Sequence, residues 1–532
     1  MGKLVPNVFN LAVVIFVALG STACSYGMAI ISSTIGQPSF YKDFQLAMQG
    51  EPGYDKTSTL IGAMNGLNSA GSAFGCAFVS WSADRYGRLR SLQLGSVILI
   101  IGAALCAGSV NMAMFLVARF IAGFGIGILI TGIPINLSKY QAEASAPSSR
   151  GFMVSMHGIM FAVGYSLASW IGFGCYFLSA NGNMTSFAWR FPLAFQAAPA
   201  ILLLIGSPWL PFSPRWLLEK GRHEEAHAVL IRLHRTADDP NNISAEKEYF
   251  QMKKQLELDR EIKQNTGRWD LFKTGPNRRR AFVGFALMFG NQFTGVLVIA
   301  NYGVLLYASL GMKTFMPLLL SALWVTASFP GNVFTAFFVD RLGRRFFLLT
   351  GLSGLLFCLV MECWTQAVYL GTDNAAGQKA AVFFLFLFIF FWSTFIDATQ
   401  FLYLSEIFPT QTRSQGMALG MVGTFSATII VLVAGPIALD VIKWKFFFVL
   451  IFPTALHLTG VYFLYPETKQ RSLEDINAAF GEKVAVRFYG ATEEEEEMYA
   501  KAIEERELAT ASVFEKTHES DRPAHEETPA NV

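Results

Sequence analysis

Charge is scarce in this chain. Only 15% of its 532 residues are Asp, Glu, Lys or Arg, against about 25% in a soluble domain, so the chain cannot cover itself with a polar surface. The formal net charge of +2 points to no partner, and no nucleic acid is expected. Cysteine spacing that would build a disulfide framework or a metal site is also missing. Cys24, Cys76, Cys106, Cys175, Cys358 and Cys363 all lie within apolar stretches, where a thiol serves as a small hydrophobe. No nucleophile constellation, metal cluster or phosphate-cradling loop stands on a soluble segment, which argues against an enzyme and implies no cofactor.

Apolar length is what the chain has. Hydrophobic residues make up 53%, Phe alone occurs 49 times, and the mean hydropathy is +0.40. A membrane crossing needs about 20 mostly apolar residues. Twelve stretches qualify, centred near Phe16, Ala70, Ile100, Gly123, Val163, Leu203, Phe289, Val325, Phe357, Phe390, Ile429 and Leu456. The first is long for a signal peptide and continues into Tyr26-Gly27, so it is read as a retained span.

One charged motif occurs twice. Asp84-Arg85-Tyr86-Gly87-Arg88-Leu89-Arg90 returns as Asp340-Arg341-Leu342-Gly343-Arg344-Arg345, each copy between two long apolar stretches. Such duplication predicts two similar helical membrane bundles in tandem, the build of secondary transporters. The Arg-rich turns and the basic connection from Pro214 to Arg280 set the orientation: basic loops face the cytoplasm, and both termini with them. The resulting organisation is an N-terminal six-helix bundle over 1–212, a cytoplasmic helical connection over 213–280, a C-terminal six-helix bundle over 281–466, and an acidic tail over 467–532.

Within the connection, Ser213-Pro214 reads as a cap and first helical position with Gly221 as the stop. Helical periodicity follows over Glu224–His234 and Ala245–Gln264. The tail carries the run Glu493–Glu497 and is expected to be disordered beyond about Leu508. Asn183-Met184-Thr185 is a glycosylation sequon on a loop predicted to face outside, whereas those at Asn136 and Asn242 are predicted cytoplasmic.

A family resemblance rests on residues along almost the whole membrane region. Besides the two Asp-Arg turns there are Arg119-Phe120-Ile121-Ala122-Gly123-Phe124-Gly125, Tyr140-Gln141-Ala142-Glu143 with Arg150-Gly151, and Trp189-Arg190-Phe191-Pro192. Pro211-Phe212-Ser213-Pro214-Arg215, Gln292 with Gly295 and Tyr302, Ser405-Glu406-Ile407-Phe408-Pro409 with Arg413, and Pro466-Glu467-Thr468-Lys469 continue the series. In order and spacing the chain resembles a sugar porter of the major facilitator superfamily, most of all the fungal members.

That resemblance implies an all-α membrane protein of twelve transmembrane helices in two six-helix bundles, working by alternating access. It implies plasma-membrane localisation, a lipid-bilayer environment, and a small carbohydrate or polyol substrate with a proton as a second candidate. By the same resemblance Asp84, Arg88, Glu143 and Arg150, with Asp340, Arg344, Glu406 and Arg413, form salt bridges that hold an inner gate shut. Interrupted, Gly-rich fourth and seventh helices are expected to supply the moving parts.

At the substrate site the chain departs from the family. Amides typical of sugar porters are replaced by Gly158, Leu297, Ser328, Thr424 and Thr428, and the tenth-helix Trp by Phe401. A pyranose needs several convergent donors and acceptors, so an ordinary hexose is a weaker expectation. Substrate contacts are assigned to Asn291, Gln292, Tyr302, Gln400, Phe401 and His157, with Asn301 and Asn332 also polar and near the same cavity.

Coupling departs too. The family's Gly-Tyr-Asp in the first helix is replaced by Ser25-Tyr26-Gly27, although its usual neighbour Arg119 is present. An acid remains in the membrane at Asp397, beside Thr399 and Gln400. A charged Asp at the bilayer centre costs about 2.5–3.5 kcal/mol on insertion scales, so Asp397 should face a watery cavity or carry a proton. The expected function is a secondary transporter of a sugar or sugar-like carbohydrate, facilitative. The alternatives are a proton symporter with coupling relocated to Asp397, Arg119 being the other coupling candidate, or a non-transporting nutrient sensor.

Overall fold

The computed structural model describes residues 8–144, 150–180, 185–209, 217–234 without 219, 249, 253, 270–469 without 370, 371, 373, 410 and 411, and 471–481 without 472. Side chains of 8–15, 134–157 and a few others, Asp84 and Arg88 among them, are also outside the description. Among the described residues the chain is helical with no strand. Met1–Lys469 form one compact unit and Gln470–Val532 a second.

All twelve expected spans fall on helices. Val8–Ile35, Tyr54–Tyr86, Arg88–Ala107, Met112–Ala144 and Arg150–Ala180 are the first five, and Phe187–Phe195 with Ala197–Gly206 make the sixth. The seventh comprises Gly275–Gln292 and Val296–Ser309, the eighth Met316–Thr326 and Ser328–Leu342, and the ninth Arg344–Tyr369. The tenth runs from Ala375 to Glu406, the eleventh is Arg413–Val441 and the twelfth Phe446–Leu464.

Eleven of these are both long and apolar enough to cross a membrane. The exception is the second, which has 33 residues. Asn65, Asn68, Ser69 and Ser72 are buried on it, so its polarity is turned into the bundle rather than toward lipid.

Both duplicated turns have one backbone form. Gly87 and Gly343 sit at φ 89° and 101°, a left-handed region that costs a residue with Cβ, which accounts for the glycine in each copy. At Gly343 a Cβ would also come 2.8 Å from Glu467 Oε2.

Close packing explains the glycines of the fourth span, and here the structure corrects the expectation. Met112–Ala144 is continuous over 33 residues. A Cβ at Gly123 would lie 2.0 Å from Asn68 O, and one at Gly127 2.1 Å from Ser72 O. These glycines let the second and fourth spans touch backbone to backbone. The seventh span is interrupted as expected, at Gly295, with φ +88°.

The two bundles meet at the end away from the Arg turns. Gly62 is packed against Val433 O, Trp170 Nε1 donates to Thr326 Oγ1 at 3.0 Å, and Phe173 and Phe177 contact Phe315. In the connection, Gly221 has φ +77° and Arg222 N donates to Leu217 O at 2.9 Å, so Gly221 does end a helix. His223–His234 is helical, and Leu217, Leu218, Ala226 and Leu230 form its buried core. Ser213, Pro214, most of 245–264, Asn183, Asn242 and the acidic run lie outside the described residues. In the second unit Leu473–Ala479 forms a short helix.

Candidate functional site

Breaks in two spans create the site. The seventh ends its first helix at Asn291 and Gln292, both buried, and restarts after Gly295. The tenth passes through one π-helical stretch, Trp392–Ile396, and Asp397 opens the helix that follows. A π-bulge adds a residue to a turn and leaves local backbone groups free to take other partners. The two breaks lie side by side and supply the polar groups of a cavity.

That cavity lies between the two bundles and leaves about 90 Å³ in which the centre of a water molecule can move. Gln292, Asp397, Gln400 and Phe401 line it, with Ser328, Thr424 and Leu297 at the positions where the sequence lacks amides. Tyr165 joins from the fifth span, its hydroxyl buried without a partner.

A chain of hydrogen bonds runs behind this wall. Asn332 Nδ2 donates to Asp397 Oδ2 at 3.1 Å, and Gln400 Nε2 donates to Asp397 O at 3.3 Å. Asn291 Nδ2 donates to Gln400 Oε1 at 3.1 Å, and His457 Nε2 lies 3.0 Å from Asn291 Oδ1. Four spans are tied by it: the eighth, tenth, seventh and twelfth. Asn291 therefore stands behind Gln400 rather than on the cavity wall.

Tyr302 is also off the wall. Its hydroxyl donates to Leu432 O at 2.7 Å and accepts from Asn65 Nδ2 at 3.0 Å, joining the second, seventh and eleventh spans. Asn301 Nδ2 donates to Leu297 O at 2.9 Å. The side chain of His157 is outside the described residues. Gly158 faces the eighth span, where its Cβ would lie 3.5 Å from Asn332 Oδ1.

Arg119 is fully buried away from the cavity, with Nη1 3.5 Å from Gly27 O and Nε and Nη2 without partners. A side chain at Gly27 would meet Gln196 Nε2 and Ile126 Cδ1, each 2.7 Å from its Cβ. The ends of the Gln196 and Ile126 side chains now occupy that space. Arg119 and Asp397 share no hydrogen bond or ion pair.

At the Arg-turn end, Arg344 reaches Glu406 through Nε and Nη2 at 3.1 and 2.7 Å, and Asp340 at 2.8 Å. Glu467 accepts from Arg344 N and Arg345 N, both at 3.0 Å, capping the ninth span, while Thr468 Oγ1 donates to Glu406 at 2.6 Å. Arg413 Nε donates to Phe408 O at 3.3 Å. Asp84, Arg88, Glu143 and Arg150 occupy helix positions, but their side chains lie outside the described residues.

Sequence reasoning missed three participants. Glu362 is a second acid within the spans, and it is buried: Gln366 Nε2 donates to its Oε1 at 2.7 Å, and Oε2 has no partner. Its signal was plain, an acid inside the apolar ninth span. His457 and Asn65 gave no local signal, because each is defined by a partner more than a hundred residues away.

Known proteins share this architecture. The family described as Sugar (and other) transporter matches residues 13–480. The MFS-type transporter criB of Aspergillus cristatus is 31% identical over 474 residues, 89% of this chain and 93% of that protein. Sugar transporter STL1 of Saccharomyces cerevisiae is 27% identical, covering 87% and 79%. The proton:xylose symporter XylE bound to 6-bromo-6-deoxy-D-glucose superposes with a TM-score of 0.73 at 21% identity, covering 89% and 99%, a likeness of fold. The chain is a membrane transporter of the Sugar (and other) transporter family, within the major facilitator superfamily.

Proposed function

We propose that the chain moves a small solute of sugar size by alternating access, without proton coupling. The observation that carries this reading is the cavity between the bundles, where Gln292, Asp397 and Gln400 converge at the broken seventh and tenth spans. Broken helices near the midplane are where transporters hold their cargo. Gln292, Gln400 and Phe401 are the contacts, Asn291 orients Gln400, and Tyr302 holds the bundles together. Sugars and polyols are the solutes to test first, since relatives are named for sugar and glucose transport.

The Arg-turn end faces the cytoplasm in this reading, with both termini on that side and the protein in the plasma membrane. Arg344, Asp340, Glu406 and Arg413, with Asp84, Arg88, Glu143 and Arg150 of the first half, form the inner gate. Arg344, Asp340 and Glu406 lie on neighbouring spans of one bundle, so in this reading they brace the inner ends of the eighth, ninth and tenth spans while the bundles rock as units.

A second reading is favoured by one observation: Asp397 lines the cavity itself. There it would meet each side in turn and could carry a proton with the solute. Uptake of labelled hexoses, pentoses, polyols and disaccharides in a transporter-null cell, with and without protonophore, separates the two. Non-concentrative, protonophore-insensitive uptake supports the facilitator. Uptake that the protonophore abolishes, and that loses its proton dependence in Asp397→Asn, supports the symporter. Absence of flux for every solute, with protein at the cell surface, contradicts both and favours a sensor.

A further inference from the structure

The cavity wall is mostly hydrocarbon, with Met28, Phe161, Leu297, Trp324 and Phe401 among its residues. Several polar groups on it are already engaged by the protein. Ser328 Oγ donates to Val325 O at 2.7 Å, Thr424 Oγ1 to Gly420 O at 3.4 Å and Trp324 Nε1 to Leu385 O at 2.8 Å. Gln400 accepts from Asn291 and donates to Asp397 O.

What the wall still offers is small. Asp397 has accepting capacity beyond its bond from Asn332, because a carboxylate can take about four hydrogen bonds. The Gln292 amide has a buried Oε1 without a partner, and its nitrogen can donate. The Tyr165 hydroxyl is also unengaged and can donate or accept. A polyhydroxylated ring would have to trade every hydroxyl–water bond for a protein partner. Each hydroxyl left against hydrocarbon weakens binding.

We propose that the solute is amphipathic: an apolar ring or chain against the hydrocarbon wall, ending in one or two hydroxyl or amino groups that reach Asp397 and the Gln292 amide. This deepens the transporter reading and rests on its assignment of the cavity as the cargo site. Apolar contact supplies the affinity, and the few polar groups fix the orientation.

Three probes of similar size test it on the purified full-length protein: D-glucose, 4-hydroxyphenylethanol and its amine counterpart tyramine, with binding followed by isothermal titration calorimetry. At least one aromatic probe is expected to bind about tenfold or more tightly than D-glucose. Tyramine ahead of the alcohol identifies an amine as the donor, and the reverse order a hydroxyl; either supports the proposal. Leu297→Asn, which puts an amide on the wall, is expected to narrow the preference several-fold. D-Glucose binding as tightly as the aromatic probes overturns the inference while the sugar-carrier reading stands. Binding of none of the three overturns the inference, and the uptake panel then decides the transporter reading.

Discussion

Asn291 and Gln400 lie 109 positions apart in the chain and 3.1 Å apart in space, the amide of one donating to the carbonyl oxygen of the other. This bond ties the two broken spans together across the cavity's polar wall. Because His457 holds the other end of Asn291, the orientation of Gln400 toward solute depends on a residue in the twelfth span. Replacing Asn291 by Leu leaves both partners buried and unmatched, at a cost of about 1–3 kcal/mol. Asn291→Leu should therefore lower the Tm and raise the KM for uptake several-fold. Unchanged values of both would show that the relay is dispensable.

Tyr302 performs a different task at the far end of the molecule. Its hydroxyl is the shared partner of Asn65 and the Leu432 carbonyl, and the second and eleventh spans belong to different bundles. Tyr302→Phe keeps the ring and removes both bonds, which should weaken closure of that end by about 1–3 kcal/mol. Spin labels placed on the two bundles at that end should report a larger population of long distances. A distribution identical to wild type would remove Tyr302 from the gate.

Arg344 offers the matching test at the other end. Its guanidinium is held by Glu406 and Asp340 in a fork geometry, with the Arg side chain only 10% exposed. Lysine preserves the charge but cannot make the paired bonds. Arg344→Lys should increase the reactivity of single cysteines introduced near Glu406, because the helix ends separate more often. The Asp340 arm is more than half exposed, so Asp340→Asn should have the smaller effect.

Glu362 makes the prediction that goes against intuition. One carboxyl oxygen is buried with no partner, and no base forms an ion pair with it among the described residues. A neutral isostere retains the shape and a partner for Gln366 while removing a buried carboxyl. Glu362→Gln should transport normally and unfold at the same or a higher temperature, whereas Glu362→Ala should unfold lower through its cavity and the unmatched Gln366. Loss of transport in Glu362→Gln with unchanged Tm would give Glu362 a functional role.

Much of this was readable from residues alone, for reasons that differ by element. Long apolar runs located eleven spans, and a less apolar stretch around Ala70 the second, whose Asn and Ser are compatible with a helix surrounded by other helices. The repeat of Asp84–Arg90 at Asp340–Arg345 announced two bundles, and the structure adds why each copy has a glycine. Gln292, Gln400 and Phe401 were placed near solute by resemblance, and they line the cavity. Tyr302 and Asn291 look alike in sequence terms, as polar residues in apolar spans, yet stand behind the wall. Only the rotation of each helix decides that, and pattern carries little information where a helix is buried on all sides. The fourth span's glycines suggested flexibility and instead allow close contact, since Gly serves both needs.

Alternating access is tested most directly where the bundles touch. A Cβ built at Gly66 lies 3.9 Å from Val433 Cβ, within the range of a disulfide, and Val433→Cys removes the methyl that would obstruct Gly66→Cys. The double variant, expressed at the cell surface, should lose uptake on oxidation and regain it on reduction, while each single variant is insensitive to both treatments. Full uptake with the cross-link demonstrably formed would contradict a mechanism in which the second and eleventh spans must separate for solute to pass.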